Sequence, residues 1–185
     1  MVEPPLHVVF VCTGNRFRSA LAEAVFREKA GGKATVESFG TLDLGAAPAL
    51  EQAIVEAERL GYNLRDHVSR PLLGVDLSTS DLVVGFERSH VAAAVIEAGA
   101  ARERSFTLPE LMSLLAPAPE PRRAVAQAAA ARPLSGPLIP EVEDPYGKPP
   151  GLQRRIAEDV CSLAGRLATV LWETDAESGT ARGVD

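Results

Sequence analysis

The sequence predicts an α/β fold, a parallel sheet covered by helices on both faces, and two observations carry that prediction. Strand-length apolar runs alternate with helix-length patterns along most of the 185 residues. The first apolar run ends in a tight, glycine-containing turn that leads straight into a helix. In folds of this kind a ligand binds beyond the carboxyl ends of the strands, the edge at which that turn falls. The length suits one compact domain with a sizeable core, without a second full domain.

Taken in order, Val8 to Val11 form an apolar strand ending at Cys12. Ser19 to Ala30 read as a helix with Leu21, Ala22 and Val25 toward the sheet, Glu23 and Arg27 as an exposed i,i+4 pair, and Gly31-Gly32 as the stop. Thr35 to Phe39 are a second strand. Gly40 to Ala47 form a loop, and Pro48 opens a helix that carries Leu50, Ile54, Ala57 and Leu60 and ends at Gly61. An irregular connection over 62–76 precedes a third strand at Asp81 to Phe86, then a helix from Glu87 to Ala98 stopped by Gly99. A fourth, short strand at Arg104 to Thr107 leads into a short helix at Pro109 to Leu115.

From Ala116 to Pro140 the composition turns to alanine and proline, with a helix over Arg122 to Arg132 between proline-marked stretches. This insertion reads more readily as a solvated linker than as a lid or docking arm. Gly151 to Trp172 form a long amphipathic helix that covers one face of the sheet, and 173–185 form a polar, disordered tail. The chain therefore reads as a single domain spanning 1–172, with 116–140 as an insertion within it.

The turn runs Cys12-Thr13-Gly14-Asn15-Arg16-Phe17-Arg18-Ser19. Gly14 and Asn15 are the residue types that most readily adopt positive φ, and a loop bent that way turns backbone N–H groups inward as an anion-binding nest at a helix N-terminus. Arg18 adds a planar fork of donors suited to two phosphate oxygens. Cys12 sits at the floor of the cup, where donors that favour an oxyanion also favour a thiolate. An ordinary thiol titrates near 8.5, and ionising it at neutral pH takes a preference of about 2 kcal/mol for the anion. A few backbone donors and a helix terminus supply that.

Composition bounds the partners. The net charge of −6 gives no bulk attraction to nucleic acid or to an anionic membrane, so a phosphate site must be local. Two cysteines form neither a secreted disulfide framework nor a metal cluster, which fits a reducing cytoplasm. The start lacks a basic, apolar signal segment, and no apolar run has the length of a membrane helix. The turn also lacks the Gly-Lys-Ser/Thr ending of a nucleotide-binding loop.

Cysteine, five residues, then Arg-Ser, with Gly-Asn inside the loop after the first strand, resembles the low-molecular-weight protein tyrosine phosphatases. The resemblance implies a three-layer α/β/α fold with a four-stranded parallel sheet. It also implies hydrolysis of a phosphomonoester on a phosphoprotein or phosphorylated small molecule, most readily phosphotyrosine, through a phosphocysteine, with no metal or cofactor. Such chemistry needs an acid for the leaving oxygen. Within Glu141-Val-Glu143-Asp144-Pro-Tyr146 the residues alone leave Glu141, Glu143 and Asp144 open; the resemblance selects Asp144, because the family carries its general acid in an Asp-Pro-aromatic motif. It also implies that Ser19 donates to the Cys12 sulfur, that Ser38 and His67 hold Asn15 in its left-handed conformation, and that Tyr146 walls the cleft.

Four positions depart from the family pattern. Phe17 replaces a common second cysteine, which removes a reversible disulfide with Cys12. Arg16 stands where tyrosine phosphatases commonly carry an apolar residue and the related protein-arginine phosphatases carry Thr, making the rim more cationic. Leu44 stands where an aromatic often stacks on phosphotyrosine. Ala20 replaces a Pro at the helix start, a harmless change. Alternatives are therefore a protein-arginine phosphatase, an arsenate reductase-like enzyme and a catalytically weak phosphate-binding module. The thioredoxin-linked arsenate chemistry requires two further cysteines, and only Cys161, on the last helix, is present.

Overall fold

The computed structural model describes residues 4–133 and 139–173. Four strands, β1 (Leu6–Cys12), β2 (Ala34–Gly40), β3 (Leu82–Gly85) and β4 (Ser105–Thr107), form a parallel sheet in the order β2-β1-β3-β4. The helices are α1 (Arg18–Ala30), α2 (Glu51–Arg59), α3 (Arg88–Ala98), α4 (Leu108–Leu114), α5 (Pro121–Ala131) and α6 (Pro150–Trp172).

Alternation along β1 sets the layers. Val8 and Phe10 face a core shared with Leu21, Val25 and Phe26 of α1 and Val160, Ala164 and Leu167 of α6. Val9 and Val11 face the opposite core, with Ala94 and Ala98 of α3 and with Leu72 and Leu77 from the connection before β3. A strand buried on both faces reads as an unbroken apolar run, as Val8 to Val11 do. The strand-order reversal between β2-β1 and β3 places the carboxyl end of β1 at the switch point, the usual position for a ligand in this architecture.

Three expectations are corrected. Pro48 does not open α2: it bridges to Val68 in extended backbone, and the helix begins at Glu51 after Leu50. Glu23 is not exposed but 6% accessible, because β2 and Arg70 close over it. The helix of the insertion is not a solvated linker. Ala124, Val125 and Ala128 of α5 are buried in the main core. Arg122 chelates Asp81 at 2.9 and 2.8 Å, and Arg132 pairs with Glu110 at 2.8 Å while donating to the β4 carbonyl of Ser105 at 2.7 Å. The helix is thus packed into the core and tied to β4 through Arg132. Part of the insertion, 134–138, and the tail from 174 lie outside the described residues.

Candidate active site

The loop from Thr13 to Phe17 is fixed by what its carbonyls meet. Cys12 O accepts from Thr41 N (2.9 Å), Thr13 O from Leu42 N (2.9 Å), and Arg16 O from Leu50 N (2.9 Å). Asn15 O accepts from His67 Nε2 at 2.6 Å. Each of these four carbonyls is thus held by an N–H from outside the loop segment. In a trans peptide the carbonyl of one residue and the N–H of the next point to opposite sides, and the described chain has no cis bond. The N–H groups of Thr13, Gly14, Arg16 and Phe17 are thereby turned away from those partners, as an anion-binding nest requires.

Asn15 is the one described non-glycine residue with positive φ (51°). Its side chain explains how that conformation persists. Oδ1 accepts from Arg70 N (2.8 Å), and Nδ2 donates to Ser19 Oγ (2.8 Å) and Ser38 Oγ (2.7 Å). Ser38 in turn donates to Glu23, which also pairs with Arg27. Sequence reasoning missed Glu23 as part of this group; its helical spacing to Arg27 suggested only a surface pair. Gly40 was missed as well. A Cβ there would stand 2.9 Å from Gly14 C and 3.0 Å from Asn15 N, so the end of β2 must be glycine for the loop to lie on it.

Cys12 is 3% exposed. Its Sγ accepts from Asn15 N at 3.2 Å and lies 3.0 Å from Ser19 Oγ. Because Ser19 Oγ already accepts from Asn15, the serine hydrogen is left to donate to the sulfur. Both contacts direct a hydrogen at the sulfur, and no acidic residue occupies the first turn of α1.

Arg18 is 1% exposed. Nη1 donates to Glu87 (2.5 Å) and to Val142 O (2.9 Å); Nη2 donates to Thr13 Oγ1 (3.2 Å) and stands 3.3 Å from Asp144 Oδ2. The Glu87 carboxyl is desolvated, which alone would raise its pKa, yet the Arg18 hydrogen bond and charge hold it below the usual range. Glu87 therefore remains an anion that anchors the guanidinium.

The three acids left open by the sequence are separated by their surroundings. Glu141 accepts from Arg88 N (2.7 Å) at the start of α3, and Glu143 pairs with Lys148 at 2.6 Å. Asp144 alone joins Cys12 and Arg18 in the wall of one cavity. Tyr146 N donates to its Oδ1 (3.1 Å), and the turn closes through Lys148 N to Pro145 O (3.1 Å) and Gly147 at φ 71°. The whole segment is docked by Val142 N to Phe86 O at 3.0 Å.

That cavity, of about 310 Å³, is lined by Cys12, Thr13, Gly14, Arg16 and Arg18 at its polar side and by Phe17, Leu42, Leu44, Leu50 and Tyr146 at its apolar side. Tyr146 is 72% exposed at the mouth. Arg16 is drawn to the wall by a 2.7 Å bond from Nε to Pro48 O. Phe17 is buried, and the second cysteine, Cys161, lies on α6.

Residues 7–116 match the family model for low molecular weight phosphotyrosine protein phosphatases. The chain belongs to that family. Its members are cysteine-dependent phosphatases that use no metal. Among curated relatives, the chain is 33% identical over 111 residues to a protein-arginine-phosphatase of Bacillus subtilis, covering 58% of this chain and 73% of that protein. It is 38% identical over 95 residues to a low molecular weight protein-tyrosine-phosphatase of Streptomyces coelicolor, covering 46% and 56%. The match thus spans little more than half of the latter's length. The crystal structure of a low molecular weight protein tyrosine phosphatase from T. tengcongensis superposes with a TM-score of 0.69 at 27% identity, over 89% of this chain and 98% of that one.

Proposed function

We propose that residues 1–172 act as one metal-independent phosphatase unit that hydrolyses phosphotyrosine in proteins through a phosphocysteine on Cys12. The observation that carries this reading is the shared cavity in which the Cys12 sulfur, the Arg18 guanidinium and the Asp144 carboxyl meet above inward-turned amides. In the first step the Cys12 thiolate attacks phosphorus in line, the S–P bond forms as the P–O bond to the phenol breaks, and protonated Asp144 gives its proton to the leaving oxygen. In the second, water attacks phosphorus, Asp144 takes its proton, and the S–P bond breaks to return the thiolate and release phosphate. Arg18 and the loop amides stabilise the equatorial oxygens in both.

The apolar wall of Leu42, Leu44, Leu50 and Tyr146 suits an aryl ring. Arg16, which lines the same cavity, opposes a second guanidinium, which weighs against phosphoarginine. The similarity to a protein-arginine-phosphatase, together with leucine rather than an aromatic at position 44, supports phosphoarginine as the second reading. Two free cysteines fit work in a reducing cytoplasm; among the described residues no helix is long and apolar enough to cross a membrane. The test is a side-by-side assay of phosphotyrosine peptide, phosphoarginine peptide and arsenate, with a chelator present. The expected result is a highest kcat/KM for phosphotyrosine and loss of turnover in Cys12→Ser; full activity in that variant would refute the reading.

A further inference from the structure

The proposed mechanism leaves one buried titratable group beside the site unused, the imidazole of His90, which is 2% exposed. Its tautomer is fixed by its partners. Nδ1 accepts from the N–H of Glu87 (3.1 Å) and of Phe86 (3.3 Å), so the ring hydrogen is on Nε2. That Nε2–H donates to Thr13 Oγ1 at 3.0 Å, the same oxygen that accepts from Arg18 Nη2 at 3.2 Å.

We propose that His90 is a positioning residue of the phosphate site, which holds the Nη2 edge of Arg18 toward the transferring phosphoryl group by locking the Thr13 hydroxyl between the two. The proposal rests on the phosphatase reading above. Glu87 and Val142 O take the hydrogens of Nη1. Thr13 takes one hydrogen of Nη2, and these three contacts fix the plane of a rigid, planar group. The donors that remain are Nε–H and the second hydrogen of Nη2, an atom 3.3 Å from Asp144 Oδ2, and they form the fork that two phosphoryl oxygens can take. A threonine hydroxyl on its own moves among staggered rotamers. With His90 donating to it, Oγ1 is held where Arg18 needs its acceptor. The ring must be neutral for this, because Nδ1 serves as an acceptor, and an imidazolium would set a second cation against Arg18.

The test is a double-mutant cycle on Thr13→Val and His90→Leu, with His90→Gln as the conservative variant. It reads kcat/KM for 4-nitrophenyl phosphate, the inhibition or dissociation constant of inorganic phosphate, and the melting temperature as the folding control. Each single variant is expected to lose about tenfold or more in kcat/KM and in phosphate affinity, the worth of a hydrogen bond that orients a charged group. The double variant should be no worse than the poorer single one, and His90→Gln should recover most of the loss through its amide N–H. Losses that multiply in the double variant would overturn the proposal. So would an unchanged phosphate affinity and kcat/KM in Thr13→Val, which leaves α3 untouched and decides the matter by itself if His90→Leu does not fold. A folded wild type with no turnover would instead refute the phosphatase reading, and the phosphate affinities would still report the coupling of Thr13 to His90.

Discussion

Asp144 Oδ2 lies 3.3 Å from Nη2 of Arg18, so the carboxyl of the Asp-Pro-Tyr turn rests on the guanidinium proposed to hold a phosphate. A substrate phosphoryl group entering between them would take over the Arg18 contact and leave the Asp144 carboxyl beside the leaving oxygen, where a general acid acts. Asp144→Asn should therefore lower kcat by about 10² to 10⁴. The loss should be greatest for alkyl phosphates and small for activated aryl esters, as read from the dependence of kcat on leaving-group pKa.

Asn15 supplies both a backbone conformation and three side-chain hydrogen bonds. Asn15→Gly keeps positive φ accessible and removes the bonds, whereas Asn15→Ala removes both. Urea unfolding should show a loss of about 1–3 kcal/mol for the glycine variant, from orphaned partners such as the half-buried Arg70 N, and a further cost of about 1 kcal/mol for alanine. Activity should fall in both, because Ser19 loses the donor that directs its hydrogen to Cys12.

The pH dependence of stability carries a signature of His90. Burial, and then the charge of Arg18, push its pKa down to about 4 from 6.5, although Glu87, Asp144 and Glu141 pull the other way. Between those values the unfolded chain binds a proton that the folded protein does not. Stability should therefore fall as pH drops from about 6.5 to about 4, by on the order of 3 kcal/mol, and level off with respect to this group below that. Glu87 acts in the opposite sense of charge but the same direction: its lowered pKa gives stability that is present above 4.5 and lost as pH falls through its folded value. His90→Gln should flatten the slope from 6.5 to 4 in denaturant titrations while leaving the more acidic loss in place.

Arg132 ties α5 to the sheet edge without touching the site. It pairs with Glu110 at 2.8 Å, donates to Ser105 O at 2.7 Å and lies 4.1 Å from the centroid of the Phe106 ring. Arg132→Ala should cost about 2–4 kcal/mol in denaturant unfolding. The turnover of the folded fraction should be unchanged, as measured by active-site-normalised kcat well below the transition.

What the sequence disclosed and what it hid follow from range. The strand from Val8 to Cys12 and the turn after it were legible because an apolar run, Gly14 and Asn15 impose their conformations locally. Asp144 could be chosen over Glu141 and Glu143 only through resemblance, since the choice depends on Arg88 reaching Glu141 across the fold and on Lys148 folding back to Glu143 within the same turn. Glu23 looked exposed because the spacing to Arg27 is helical, whereas its burial is caused by Ser38 and Arg70, which arrive from β2 and the connection after α2. His90 carried no signal at all, for the role proposed for it depends on Thr13, which the loop after β1 brings to it from 77 residues away. The packing of α5 was missed because alanine and proline composition does not distinguish a linker from a thin helix laid on a core.

The most direct measurement of the central claim is rapid acid quench of the wild type and of Cys12→Ser during turnover of an aryl phosphate, with the quenched protein analysed by mass spectrometry. The account predicts one phosphoryl group on the wild type, mapped to Cys12 and labile as a thiophosphate ester, and no turnover in the serine variant. Hydrolysis with a phosphate-free Cys12 throughout the reaction, or undiminished turnover without the thiol, would contradict it.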